Sequence, residues 1–171
     1  MNVILLSPHF PPNYQNFSIR LSQLGVNVLG LADEPYENLT PELKSVLAEY
    51  YHVDDMHNYD KLLRACGCLT HKYGKIDRIE SHNEYWLQTD ARLRTDFNVE
   101  GLKTDDMPKI RLKSQMKKVF EKAGVAVARG MVVKSLERGK QFVQEVGYPV
   151  VAKPDGGVGA AATFKIRTDA E

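Results

Sequence analysis

The sequence has little cysteine: two residues in 171, Cys66 and Cys68. Cysteines so close on a helix point in different directions and rarely pair, and only His71 follows as a further ligand. Two reduced thiols are expected, with Cys66 in the core and no zinc. Long apolar runs are also missing. The run Val3–Leu6 is short, is cut by Pro8, and has no basic segment before it. It does not read as a signal peptide, and nothing approaches the roughly 20 residues that span a bilayer. A soluble cytoplasmic protein without a membrane partner is the expectation. Charge of one sign is absent as well. With 23 basic and 22 acidic residues the net charge is +1, which gives no long-range attraction to nucleic acid. Hydrophobic residues make up 43%. A sizeable core can form, in one domain or in one domain plus part of another.

What is present alternates. "NVILLS" reads as a buried strand, and Phe17, Leu21 and Leu24 follow at helical spacing before Gly25. "VNVLGLAD" reads as a second strand. Thr40-Pro41-Glu42 predicts a helix start, with a capping hydroxyl, a proline in the first turn and an acid at the positive end of the dipole. Leu43, Val46, Leu47 and Tyr50 would line its face. "YYHVDD" reads as a third strand, Leu62, Leu63, Cys66, Leu69 and Tyr73 as a helix stopping at Gly74, and "KIDRIES" as a fourth strand. "EYWLQTDARLRTDF" predicts a helix with Trp86, Asp90, Leu93 and Phe97 in one stripe and an Asp90–Arg94 ion pair. Such alternation predicts a parallel sheet with helices on both faces, Asn2–Ser7 near the centre and flanked by Val26–Leu31. Ligands of such sheets bind beyond the carboxyl ends of the strands. The first of those turns, "SPHFPPN", has no glycine, so a nicotinamide dinucleotide site is not expected there.

"KTDDMPKIR" reads as a boundary. Met116, Val119, Phe120 and Ala123 then mark a helix ending at Gly124, and "VAVARGMVV" is extended. Ser135 caps a helix carrying Gly139, Phe142, Val143 and Val146 and ended by Gly147. "YPVVAK" and "ATFKIRT" read as strands, expected to pair antiparallel. Between them lies the glycine loop "PDGGVGA". The order strand, loop, strand is not that of a Walker motif, whose lysine follows its glycines, and the GxGxxA spacing from Gly157 to Ala162 lacks the helix a dinucleotide site needs. Glycines still let several backbone N–H groups face one anion, and a lysine at the preceding strand end adds a point charge. The alternative is a plain hairpin turn with a surface lysine.

Read together, "KSQMKKVFEKAGVAVARGMVV" and "YPVVAKPDGGVGAAATFKI" resemble the ATP-grasp family. Lys113 stands eleven residues before Gly124, as that family's first phosphate lysine stands before its A-G-V turn. The resemblance implies an α/β fold: a Rossmann-like pre-ATP-grasp domain over residues 1–104, a connecting helix region over 105–124, and part of an ATP-grasp lid over 125–171. It implies an ATP-dependent ligase, of the carboxylate–amine or carbamoyl-phosphate-synthase-like branch, that activates a carboxylate as an acyl phosphate for attack by an amine or other nucleophile. Carried over, Lys113, Lys153 and the loop Gly156, Gly157 and Gly159 would contact the phosphates of ATP. No nucleophilic side chain is required. The family's adenine strand and its Glu and Asn ligands for Mg²⁺ would fall after residue 171, so this chain is expected to be a fragment, inactive and weak in ATP binding by itself. A non-catalytic interaction or regulatory module with a degenerate lid is the reading from another class.

Other candidates carry two readings each. Asn83 and Glu84, in "ESHNEYW", either touch a substrate amine or carboxylate or cap the next helix. Arg111 either orients phosphate or is simply exposed. His9 with Pro11 and Pro12 reads as a rigid loop wall. Lys117 and Lys118 read as a solvated face. Asp155–Ala161 is expected to be mobile, because three glycines make ordering costly. The substrate pair is open, as is the oligomeric state, a homo-oligomer among the options.

Overall fold

The computed structural model describes residues 1–157 and 162–171, which form two compact units, Met1–Thr104 and Asp105–Glu171.

In the first unit four strands alternate with four helices: β1 (Asn2–Leu6), α1 (Gln15–Gln23), β2 (Asn27–Ala32), α2 (Pro41–Val46), β3 (Glu49–His52), α3 (Tyr59–Tyr73), β4 (Arg78–Glu80) and α4 (Leu87–Asp96). The sheet is parallel throughout, in the order β3-β2-β1-β4. β1 is central, as its unbroken apolar run requires: a strand covered on both faces has no polar side to alternate with. Its side chains divide by the pleat. Ile4 and Leu6 join Leu29, Leu31, Leu62, Leu69, Ile79 and Leu93 on one face. Val3 and Leu5 join Val28 on the other, with Leu21, Val26 and Leu47 packed against them. Cys66 lies in the first of these clusters and Cys68 is exposed, both as free thiols. Gly30 is needed because a Cβ there would stand 2.8 Å from Tyr50 Cδ2 and 3.2 Å from Leu47 Cδ1.

Several expectations within this unit are corrected. Phe17 and Leu24 do not face the core. They are 43% and 79% exposed, while Ser18 is fully buried on α1. Tyr50 does not extend the face of α2; it sits in β3 and its hydroxyl donates to the Glu34 carbonyl. Asp90 and Arg94 do not form the expected ion pair. Arg94 instead donates to Glu80 at 2.5 Å, to the Ile79 carbonyl at 2.8 Å and to the Leu102 carbonyl at 3.2 Å, so the guanidinium fastens β4 and the chain after α4. The i,i+4 spacing was satisfied, but a buried guanidinium needs several acceptors, and backbone carbonyls supplied them.

The second unit contains α5 (Met107–Arg111), α6 (Lys113–Lys122), α7 (Leu136–Val146), β5 (Val150–Ala152) and β6 (Phe164–Ile166). β5 and β6 pair antiparallel, Val150 opposite Ile166 and Ala152 opposite Phe164. Ser135 caps α7, its hydroxyl accepting from Arg138 N–H. Residues 125–134 form no regular helix or strand.

Candidate phosphate-binding site

The start of α6 has an unusual cap. Leu112 precedes it with an extended backbone and an aliphatic side chain that cannot accept a hydrogen bond. The first N–H groups of a helix need partners from outside. They come from 41 residues further on. Asp155 Oδ1 accepts from Ser114 N–H at 2.7 Å, and Oδ2 accepts from Ser114 Oγ at 2.8 Å. The Lys113 N–H donates to the Asp155 carbonyl at 2.9 Å. Lys113 Nζ donates to the Gly157 carbonyl at 3.1 Å and stands 3.4 Å from that of Asp155. The Ser114 N–H and hydroxyl, and then the Lys113 charge, hold the Asp155 carboxyl below its ordinary range.

The glycine loop is thereby brought onto the lysine that the sequence paired with it. Gly157 has φ +120°, a conformation L side chains rarely adopt. Gly156 is less constrained, since a Cβ there would meet Leu112 Cδ2 at an ordinary 3.5 Å. Gly159 lies outside the described residues, as do the other members of 158–161 on which the mobility expectation partly fell. Within the described part, Asp155 is tied at three of its atoms rather than loose. Lys153 follows β5 and is exposed, as is Arg111 at the end of α5. Ser114 and Asp155 went unassigned in the sequence. The available signal was a serine in the first turn of a helix with no capping residue before it, and an acid in a Pro-Asp-Gly turn.

The first N–H groups of α6 are taken by Asp155, so the charge this arrangement offers an anion is that of the Lys113 ammonium beside the glycine turn. Lys113 is already aimed into the loop, and its two carbonyl contacts are neutral ones that an anion can replace. An ammonium so placed can meet a phosphate oxygen. Among the described residues no three His, Cys, Asp or Glu side chains converge.

Asn83 and Glu84 lie in the first unit. Asn83 does not cap α4, which begins at Leu87; its Oδ1 accepts from Tyr85 N–H at 3.0 Å in a tight turn ahead of the helix. Glu84 is exposed in that turn and its carbonyl accepts from Leu87 N–H. The turn is anchored from beneath. Ser81 Oγ donates to Asp90 Oδ2 at 2.6 Å, and Ser81 N–H donates to the same oxygen at 3.2 Å. Burial pushes the Asp90 carboxyl up to about 7 against the Ser81 hydrogen bond and the Arg94 charge. Burial likewise lowers His9 and His82, and His82 stacks on Phe17 with centroids 4.0 Å apart. A cavity of about 130 Å³ beside Met56, Tyr59 and Arg92 holds none of the expected site residues and is too small for a nucleotide.

Residues 112–171 match the family model described as carbamoyl-phosphate synthase L chain, ATP binding domain. Over 55 residues the chain is 38% identical to the D-alanine–D-alanine ligase B of Clostridium perfringens, a stretch that is 32% of this chain and 18% of that ligase. In fold, 98% of the chain superposes on 39% of the biotin carboxylase of Campylobacter jejuni, solved as a β,γ-ATP complex, with a TM-score of 0.77 and 19% identity. The biotin carboxylase domain dimer of the Hydrogenobacter thermophilus 2-oxoglutarate carboxylase, solved with MgADP, ADP and bicarbonate, gives 0.75 at 21% identity over 96% of this chain and 37% of that one. At those identities the likeness is one of fold. The chain thus spans well under half the length of each of these relatives. The resemblance to ATP-grasp ligases is shown, and the matched segment begins at Leu112, immediately before Lys113.

Proposed function

We propose that this chain supplies the phosphate-holding part of an ATP-dependent ligase, one that activates a carboxylate as an acyl phosphate for attack by an amine or other nucleophile. The observation that carries this reading is the convergence of Lys113 Nζ on the Asp155 and Gly157 carbonyls, from segments more than forty residues apart. Lys113 would neutralise phosphate charge from one side and the Asp155–Gly157 turn would present backbone from the other, while Lys153, exposed just after β5, would add a second charge. ATP supplies the phosphoryl group that turns a poor acyl donor into a good one. Bringing anions together is the barrier, so fixed cations and N–H donors are the contribution these residues make. None of them has to become covalently attached to substrate. Asn83 and Glu84 are the candidates for a substrate's amine or carboxylate.

In the intact ligase that carries this segment, Lys113→Ala and Lys153→Ala should each weaken MgATP binding by about 10-fold to 100-fold, the worth of one charge-assisted contact of about 1.5–3 kcal/mol. Circular dichroism should show the fold intact. Titration calorimetry on the protein and the two variants checks this. Affinities equal to wild type in both variants would return the glycine loop to a plain hairpin turn.

A further inference from the structure

The geometry points to Asp155 as a positioning residue: through Ser114 it straps the glycine loop to the start of α6 and so sets where the loop stands relative to Lys113. The inference rests on the phosphate reading above, but the strap has consequences of its own.

Three facts support it. The Asp155 carboxylate meets both donors of Ser114, the N–H at 2.7 Å and the hydroxyl at 2.8 Å, in an arrangement that fixes the carboxylate plane as well as its place. The Asp155 carbonyl takes the neighbouring Lys113 N–H at 2.9 Å. Two successive residues of the helix start are therefore held by one residue of the loop. Finally, Leu112 offers α6 no side-chain cap, so without Asp155 the Ser114 N–H has no protein partner.

A loop carrying Gly156 and Gly157 loses much backbone freedom when it closes on a ligand. A loop already fastened at Asp155 has lost part of that freedom before the ligand arrives, so less is subtracted from binding. Asp155 does this without touching phosphate. Its negative charge would repel phosphate if it faced the ligand freely, but here both oxygens face Ser114. Lys113 differs: its Nζ contacts are to carbonyls and exchange for phosphate oxygens.

The test pairs a ligand-free measurement with binding. Asp155→Ala and Ser114→Ala are made singly and together, with Ser114→Thr as the conservative control that keeps the hydroxyl. Hydrogen exchange at the Ser114 amide should quicken at least 10-fold in Asp155→Ala, with exchange in the first unit unchanged. In the intact ligase the affinity for MgATP should fall about 10-fold in each single variant. The double variant should be no weaker than either, since both remove one shared contact. Ser114→Thr should bind as wild type does. Unchanged Ser114 exchange, or losses that add in the double variant, would overturn the strap. An intact wild-type ligase that binds no MgATP, while Asp155→Ala still frees the Ser114 amide, would instead overturn the phosphate reading, and with it the purpose assigned to the strap.

Discussion

The two units are built on different principles. Among the described residues, 21 of the 22 buried apolar ones lie between Met1 and Thr104; the remaining one is Met107. Neither α6 nor α7 buries a single residue, and Val119, Phe120, Val133, Leu136, Val151 and Phe164 are between 42% and 69% exposed. The first unit is held by apolar area removed from water. The second owes its local geometry to helix caps, one short antiparallel ladder and the polar strap at Asp155. A scaffold that must stay fixed is well served by a core. Segments held by a few exchangeable hydrogen bonds open locally at lower cost.

The sharpest way to break this contrast is to remove side-chain volume from each unit. Leu62→Ala, at 1% exposure in the main cluster, should cost about 2–5 kcal/mol in urea denaturation. Phe164→Ala, on an exposed strand, should stay within about 0.5 kcal/mol. Equal losses would mean the second unit has a core of its own.

The next effect concerns acid and base. Asp90 titrates near 7 in the folded protein and near 4 when unfolded. The folded state therefore holds the extra proton between those values. The stability this group contributes is fully present below about pH 4 and is lost as pH rises through 7. Asp90→Asn removes that slope and keeps an acceptor for Ser81. Relative to the variant, wild type should lose roughly 2–4 kcal/mol between pH 4 and pH 8. Denaturation curves whose difference does not change with pH would show that Asp90 is solvated after all.

The smallest effect sharpens the comparison. Thr40 Oγ1 caps α2 and also donates to Gln15 Oε1 at 2.6 Å; Ser135 Oγ caps α7. Alanine at either position should cost about 1 kcal/mol of helix stability. In Thr40→Ala the loss should appear in the global unfolding midpoint. In Ser135→Ala it should appear as faster amide exchange confined to α7.

Most of the fold could be read from pattern, because a parallel sheet covered on both faces leaves continuous apolar runs and helix ends leave Thr40, Gly74, Ser135 and Gly147. Where reading failed, the deciding partner was distant or the pattern ambiguous. Phe17 and Leu24 have helical spacing, yet the small Ser18 is what α1 buries. Arg94 has an acid at i−4, yet its acceptors lie on β4 and after α4. The same limit applies to the site. Lys113 and the loop glycines carry a recognisable spacing. Ser114 and Asp155 do not, because the hydrogen bonds between them join positions 41 apart.

The position of β1 has a consequence for the protein's birth. Val3, Ile4 and Leu5 pair with β4, and the Asn2 N–H is taken by Asp77, 75 residues later. At roughly 5–20 residues per second of synthesis, β1 waits about 4–15 s for its second neighbour. During that wait an apolar strand with one unpaired edge is attached to the ribosome. Pairing with β2, only about 25 residues on, is what can shield it first.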